Sequence, residues 1–577
     1  MKSSQQARKT TGASAPQPPS KLRALENTLT SRILPLLLVG AVLFLIPSTA
    51  PLTDGDTALY GTIALEMLRS GDWLTPTHPA RGPDYILDKP PLTLWLMAVS
   101  FWLFGPTPFA ARIWQILLSL GTLWLTVATG RLYLPRQTAI KAGWILLTTI
   151  LFYYTGLVPQ QDVATLFFMM LGFYGFLRFL LRGGLSWYYL IWIALAGGVL
   201  TRGISNLIMT GGVMAMFLLI DRPSLKGLFK SWGRVVVHLV GGLGLFILLA
   251  VPWFWAETKI LGERFLEVFF FSGNMRYYEA DHSPWVMLLG YTVLLFLAFL
   301  PWSGFIPHAL THGLKQAREG DGASRTRGSR FMLVWILFVF AFIHLIAWRV
   351  IRYLLPLLPP LALLVADLQE RIGHGHKEET QVRVQRTVRW IITPILLVLG
   401  LLGTLVWFVP LPPETAVYRP IVTALGLPMG IGGVGLAVLA RHGASPNKEQ
   451  RRSSRLTVQL LSTGLATYLA LGLCLLITGS AVFPQAEIAQ RILDSAGESD
   501  AIVHLGESPV VFYDFYLFGR PVKWAQRGSY LPSGGEKVTW LITTQLQAEL
   551  FRSATGVRVS EVYAGSTEVL LRIVRDD

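Results

Sequence analysis

A single cysteine in 577 residues excludes any disulfide within the chain. That residue, Cys474, lies in an apolar run, where a thiol packs as a small hydrophobe. Charge is scarce too: Asp, Glu, Lys and Arg make up 15% of the residues, against roughly a quarter in soluble domains. Acids are the rarer sign, 34 against 50 bases. No glycine-rich phosphate loop is present, so a soluble nucleotide is not an expected ligand. What is abundant is apolar: 52% hydrophobic residues and a mean hydropathy of +0.49, gathered in runs of about 20 residues. The chain is therefore read as an α-helical polytopic membrane protein surrounded by lipid. Its net charge of +16 then belongs to loops on one side, and nucleic acid is not an expected partner.

Residues 1–31 are rich in Ser, Gln, Pro and basic residues, without apolar periodicity, and read as a disordered cytoplasmic tail. The first apolar run, 32–49, reads as a span and not a cleaved signal. It is long for a signal core, and Ser48-Thr49-Ala50 is followed at once by Pro51. Further apolar segments begin at 92, 108, 138, 163, 187, 204, 234, 285, 331, 353, 388, 419 and 456. Threading every one as a span puts five basic linkers opposite the tail, among them Lys315–Arg330 and Arg441–Arg455. Removing segment 92–105 repairs all five. It is short, rich in Trp and Phe, and bounded by Pro90-Pro91 and Gly105-Pro106, which suits an interfacial helix. About thirteen transmembrane helices remain, forming a domain over 32–480 with an external loop at 50–105. The 481–577 region changes character. Strand-like runs at Ala501–Leu505, Val510–Tyr513, Val538–Thr543 and Val569–Val574 alternate with helical ones, predicting a small periplasmic α/β domain.

The residues with chemical potential fall on the face opposite the tail. Asp54, Asp56, Glu66, Asp72, Asp84 and Asp88 crowd into Leu52–Pro91. Asp54 reads as a helix cap or a solvated acid. Asp56, four residues before Tyr60 at the head of an amphipathic run, reads as functional. Asp88-Lys89-Pro90-Pro91 forms a rigid extended turn, with Lys89 placed to hold a lipid phosphate. Asp162 opens an apolar span after Gln160-Gln161, a place for an N-cap or for an acid facing a cavity. Arg202 interrupts two apolar runs, and both snorkelling and a phosphate contact are open to it. The loop 257–284 carries Arg276 and His282, and His282 could share a metal ion with Asp88. Arg349, Arg352 and Tyr353 break the positive-inside pattern, which suggests a bound anion such as a polyprenyl phosphate, with snorkelling as the alternative.

Together these pieces resemble the membrane glycosyltransferases of the GT-C fold, in particular the bacterial lipid A aminoarabinose transferases and the protein O-mannosyltransferases. The matching motifs are Asp56…Tyr60, Leu87-Asp88-Lys89-Pro90-Pro91, Gln161-Asp162, Leu200-Thr201-Arg202-Gly203, His282 before Pro284-Trp285, Leu300-Pro301-Trp302 and Arg352-Tyr353. The resemblance implies transfer of a sugar from a polyprenyl (undecaprenyl) phosphate at the external face of the inner membrane. It implies that Asp56 and Asp162 are catalytic acids, supported by Tyr60. Lys89, Arg202, Arg276, Arg349, Arg352 and Tyr353 correspond to donor or acceptor phosphate contacts. Asp88 and His282 correspond to a structural zinc pair, no cofactor being required for the chemistry. The aminoarabinose enzymes look like Asp-Glu-Thr-Arg-Tyr where this chain has Asp56-Thr57-Ala58-Leu59-Tyr60. The acceptor therefore stays open among a lipid A-type glycolipid, another glycan and a protein. The rival from another class is a transporter or flippase for a lipid-linked saccharide, but transporters keep charges near the bilayer midplane and carry internal repeats.

Overall fold

The computed structural model describes residues 31–52, 55–78, 87–221, 232–269, 284–319, 324–344, 350–373, 378–441, 449–497, 500–505, 511–517, 522–525, 538–544, 548–549, 558–565 and 568–574. Every segment read as a span carries helix, from Ile33–Leu45 and Pro108–Gly130 through to Glu449–Val482. Among the described residues, 8 helices are long and apolar enough to cross a membrane, or up to 9 if the bent pair is one span. Ile33–Thr49, Ile204–Ile220 and Leu288–Ala298 are apolar but shorter. The larger count read from the sequence is reached only by adding these and Leu185–Arg202.

One expected span, 138–158, is broken. Its halves, Arg136–Leu147 and Ile150–Leu157, meet at 65°. The break is stabilised from outside: the Trp302 indole donates to Thr148 Oγ1 at 2.9 Å, and the Tyr468 hydroxyl donates to the Thr148 carbonyl at 2.9 Å. Backbone groups freed inside a membrane domain need such partners, since no water is there to replace them. Elsewhere helices approach closely through small residues. A Cβ built on Gly430 would sit 2.7 Å from the Gly400 Cα, so Glu378–Leu405 and Arg419–Arg441 touch backbone to backbone.

Arg112, inside the Pro108–Gly130 helix, is buried and fixes the end of the first span. Its guanidinium donates to the carbonyls of Ser48 (2.9 Å), Ala50, Pro51 (2.8 Å) and Leu157 (3.1 Å). Arg112→Leu keeps the bulk and removes every donor, and each orphaned buried carbonyl costs roughly 1–3 kcal/mol. The thermal unfolding midpoint in detergent is expected to fall by several degrees, on the order set by that loss. An unchanged midpoint would contradict this clamp.

Leu92–Phe104 is a helix of 13 residues, about 20 Å long at 1.5 Å per residue and too short for a bilayer core of about 30 Å. Leu94, Met97, Ala98 and Phe101 pack inward against Ala58, Ile63 and Trp114, while Trp102, Leu103 and Phe104 point outward. This two-faced burial agrees with an interfacial helix.

Beyond Val482 the chain builds a five-stranded sheet: β1 (Ala501–Leu505), β2 (Val522–Ala525), β3 (Val538–Thr543), β4 (Arg558–Ala564) and β5 (Val569–Val574), in the order β2-β1-β3-β5-β4. β1 runs parallel to β2 and β3, and β5 pairs antiparallel with β3 and β4. The strand expected over Val510–Tyr513 is instead part of a helix, Val511–Tyr516. Its aromatic residues lie in two different cores, a demand that a helix turn meets. β2 and β4 were not foreseen, because VKWA and RVSEVYA carry little apolar alternation.

Candidate active site

Asp56 lies in the first turn of the Gly55–Ser70 helix, and Asp162 in the first turn of Gln161–Arg182. Both carboxylates therefore face the positive end of a helix dipole. Asp162 is not the N-cap. That position belongs to Gln160, whose side chain makes no capping bond. Arg202 closes the Leu185–Arg202 helix, where a cation is favoured. The next residue, Gly203, takes φ +71°, a left-handed conformation that lets the chain turn straight into the next helix. Arg352 and Tyr353 stand in a 3-10 turn at Ile351–Leu357.

These elements bring the five side chains together. Arg202 Nη1 is ion-paired with Asp162 Oδ1 and its guanidinium lies 4.9 Å from the centre of the Tyr353 ring. Arg352 bridges the two acids, with Nη2 at 3.6 Å from Asp56 Oδ2 and Nε at 3.8 Å from Asp162 Oδ2. The acids differ sharply in exposure: the Asp56 side chain is 55% exposed and that of Asp162 is 6% exposed. Asp162 is a buried charge held by two guanidinium groups, whereas Asp56 presents its carboxylate to the outside.

Tyr60 lies beneath Asp56, buried, and its hydroxyl accepts a hydrogen bond from Gln161 Nε2 at 3.0 Å. Burial first, then the charge of Asp56, holds this phenol protonated well above the ordinary tyrosine range. Asp88 and Asp162 add to that push, and the Gln161 bond opposes it. Leu87, beside Asp88, is buried in the same cluster as Tyr60, which places the Asp88 turn in this region. At that turn Lys89 Nζ pairs with Asp88 Oδ2 at 2.7 Å, both side chains partly exposed. The ammonium is therefore oriented by its neighbour and still reachable from outside.

The sequence profile for dolichyl-phosphate-mannose-protein mannosyltransferases matches residues 88–255. An uncharacterized protein of Aquifex aeolicus is 29% identical over 313 residues, 54% of this chain and 58% of its own length. The undecaprenyl phosphate-alpha-4-amino-4-deoxy-L-arabinose arabinosyl transferase of Edwardsiella ictaluri is 26% identical over 496 residues, 82% of this chain and 85% of that enzyme. The crystal structure of ArnT from Cupriavidus metallidurans bound to undecaprenyl phosphate superposes with a TM-score of 0.73 at 18% identity, covering 95% of this chain and 98% of that one. The chain has the GT-C glycosyltransferase fold.

Within the GT-C fold, Asp56, Tyr60, Asp162, Arg202, Arg352 and Tyr353 converge, and Asp88-Lys89 lies at the same end. Arg276, His282 and Arg349, with Asp54 and Asp84, fall outside the described residues. The shared metal suggested for Asp88 and His282 therefore lies outside them too. Among the described residues no group of three or more His, Cys, Asp or Glu is arranged to hold a metal ion. Sequence reading passed over Arg112, although a charge inside an apolar run is the signal that singled out Arg202. It also passed over Phe515 and Tyr516, which reach this region from the Val511–Tyr516 helix beside the C-terminal sheet. No local pattern marks them, since they matter only through contacts more than 400 residues away in sequence.

Proposed function

We propose that the chain is an inverting glycosyltransferase of the bacterial inner membrane, moving a monosaccharide from a polyprenyl-phosphate donor to an acceptor at the periplasmic face. The observation that carries this reading is the bridge of Arg352 between an exposed and a buried carboxylate, beside Arg202 and Tyr353. A leaving prenyl phosphate needs positive charge as its bond to the anomeric carbon breaks. Arg202, Arg352 and Lys89 supply it, with Arg276 and Arg349 assigned the same role from sequence. The new bond forms from an acceptor oxygen on the opposite side of that carbon. Asp56 takes the proton if the acceptor is a hydroxyl, or orients the acceptor if it is already an anion. Asp162 serves the step by holding both guanidinium groups in place.

The undecaprenyl phosphate in the Cupriavidus structure and in the name of the Edwardsiella enzyme supports this donor class. The acceptor is a glycolipid of lipid A type, another glycan or a protein. The topology that goes with this reading has residues 1–31 in the cytoplasm, 32–480 in the membrane and 481–577 in the periplasm. A structural zinc at Asp88 and His282 would stay outside the step. Purified protein in lipid nanodiscs, given a labelled polyprenyl-phosphate sugar and a panel of acceptors, is expected to release free polyprenyl phosphate as one acceptor gains label. Movement of intact donor across a vesicle membrane without cleavage would overturn the reading in favour of a flippase.

A further inference from the structure

The short Val511–Tyr516 helix belongs to two hydrophobic clusters at once. Tyr513 and the adjoining Leu517 are buried in the core of the C-terminal sheet, with Ile488, Ile502 and Trp540. Phe515 is buried instead in the cluster of the external loop, with Ala58, Ile63 and Phe101, and Tyr516 packs against that cluster. The Phe515 and Phe101 rings lie 5.9 Å apart. A Cβ built on Gly61 would come within 2.8 Å of the Phe515 ring, so Gly61 leaves the space that the ring fills. The Tyr516 hydroxyl accepts a hydrogen bond from the Leu52 N–H at 2.8 Å, four residues before Asp56. Arg112 clamps the carbonyls of Ser48, Ala50 and Pro51 just upstream, so residues 48–52 are held by both Arg112 and Tyr516.

On the sheet side the helix is anchored by a buried carboxylate. Glu568 accepts hydrogen bonds from the Tyr513 hydroxyl and from Gln485 Nε2 (3.2 Å), and its other oxygen faces His504 Nε2 at 3.3 Å. A buried acid is tolerated because several partners share it. Glu568 thereby ties the helix that follows the last span, strand β1 and the Val511–Tyr516 helix into one unit.

We propose that the Val511–Tyr516 helix is a positioning element for the transfer reaction. Phe515 and Tyr516 fix the head of the Asp56 helix, and Glu568, through Tyr513, fixes the helix that carries them. This rests on Asp56 being the reacting acid. Phe515 and Tyr516 meet Phe101, Gly61 and Leu52 on this side, so their loss is expected to free the Asp56 carboxylate from its place while leaving donor binding alone. Displacement of a reacting group by about 1 Å costs up to 10²-fold in rate.

The test uses the full chain in nanodiscs with a polyprenyl-phosphate sugar as donor. Tyr516→Phe is expected to lower kcat about tenfold with KM for the donor unchanged. Glu568→Ala should do the same, and Glu568→Gln should restore most of the turnover because it can still accept from Tyr513. An activity-independent readout is a spin label at Arg69→Cys in a Cys474→Ser background, on the exposed end of the Asp56 helix. Its mobile fraction should rise in Tyr516→Phe and in Phe515→Ala. Wild-type kcat and an unchanged label spectrum in Tyr516→Phe would overturn the proposal, as would a loss confined to thermal stability. Asp56→Asn separates the two ideas. If it keeps turnover, the site assignment fails. If it is inactive while Tyr516→Phe is wild type in both readouts, only the positioning role fails.

Discussion

Asp56→Asn is expected to abolish sugar transfer while leaving the amount of folded protein and the binding of donor largely intact. The substitution is isosteric and removes one charge, so the helix that carries it should stay in place. Asp56 is the more exposed of the two acids, and its contact with Arg352 at 3.6 Å is long. Ion pairs of that exposure contribute about 1 kcal/mol or less, so stability should barely change. Activity is a different matter. A general base supplies roughly 10²–10⁴-fold, and an amide cannot take a proton from a hydroxyl. Turnover should fall by that order, measured as release of polyprenyl phosphate, with the unfolding midpoint in detergent unchanged. Asp56→Glu, which keeps the carboxylate on a longer stem, should recover part of the rate. Full turnover in the asparagine variant would remove Asp56 from the reaction.

Arg352→Lys is the second large effect expected, although it conserves charge. Arg352 reaches Asp56 through Nη2 and Asp162 through Nε, a bridge made by two nitrogens of one planar group. A lysine ammonium is a compact point charge and cannot hold that geometry. Loss of an oriented cation at a developing phosphate costs about 10²–10³-fold in kcat. The apparent affinity for free polyprenyl phosphate, measured by competition with the labelled donor, should weaken as well. Arg352→Ala should be worse, because the buried Asp162 would lose one of the two guanidinium groups that hold it and Asp56 would lose its contact with Arg352. A lysine variant with full turnover and unaltered donor affinity would exclude Arg352 from phosphate stabilisation.

Much of the site was legible in one dimension, for a reason that concerns membranes. A charge among apolar residues is expensive in lipid, so Asp162 and Arg202 stand out in the sequence, Asp162 also by sharing a side with Asp56 and Arg202 with snorkelling still open to it. The sidedness of basic linkers is what sets the segment at 92–105 apart in the sequence. The pairing was not legible. Asp56, Asp162, Arg202 and Arg352 are tens to hundreds of residues apart, and nothing in their spacing says that one arginine bridges two acids. Val510–Tyr513 reads as a strand because VVFY is a run of β-branched and aromatic residues, whereas Val511–Tyr516 is a helix. Its alternate residues in fact serve two separate cores.

What the sequence determined by itself is the solvent and the scale: apolar runs of span length, a distinct sheet-forming region after residue 480, and the set of polar residues that lipid would not tolerate without cause. Periodicity and transfer free energy act locally, so they can be read locally. What only the tertiary structure decided is division of labour. It buries Asp162 between two guanidiniums and leaves Asp56 open. It breaks one span at Thr148, where Tyr468 satisfies the freed carbonyl and Trp302 holds the threonine hydroxyl. It also brings Phe515 and Tyr516 from the Val511–Tyr516 helix beside the C-terminal sheet to the head of the Asp56 helix. Exposure, ion pairing and long-range packing depend on which helices become neighbours, a property of the assembled bundle that no window of sequence contains.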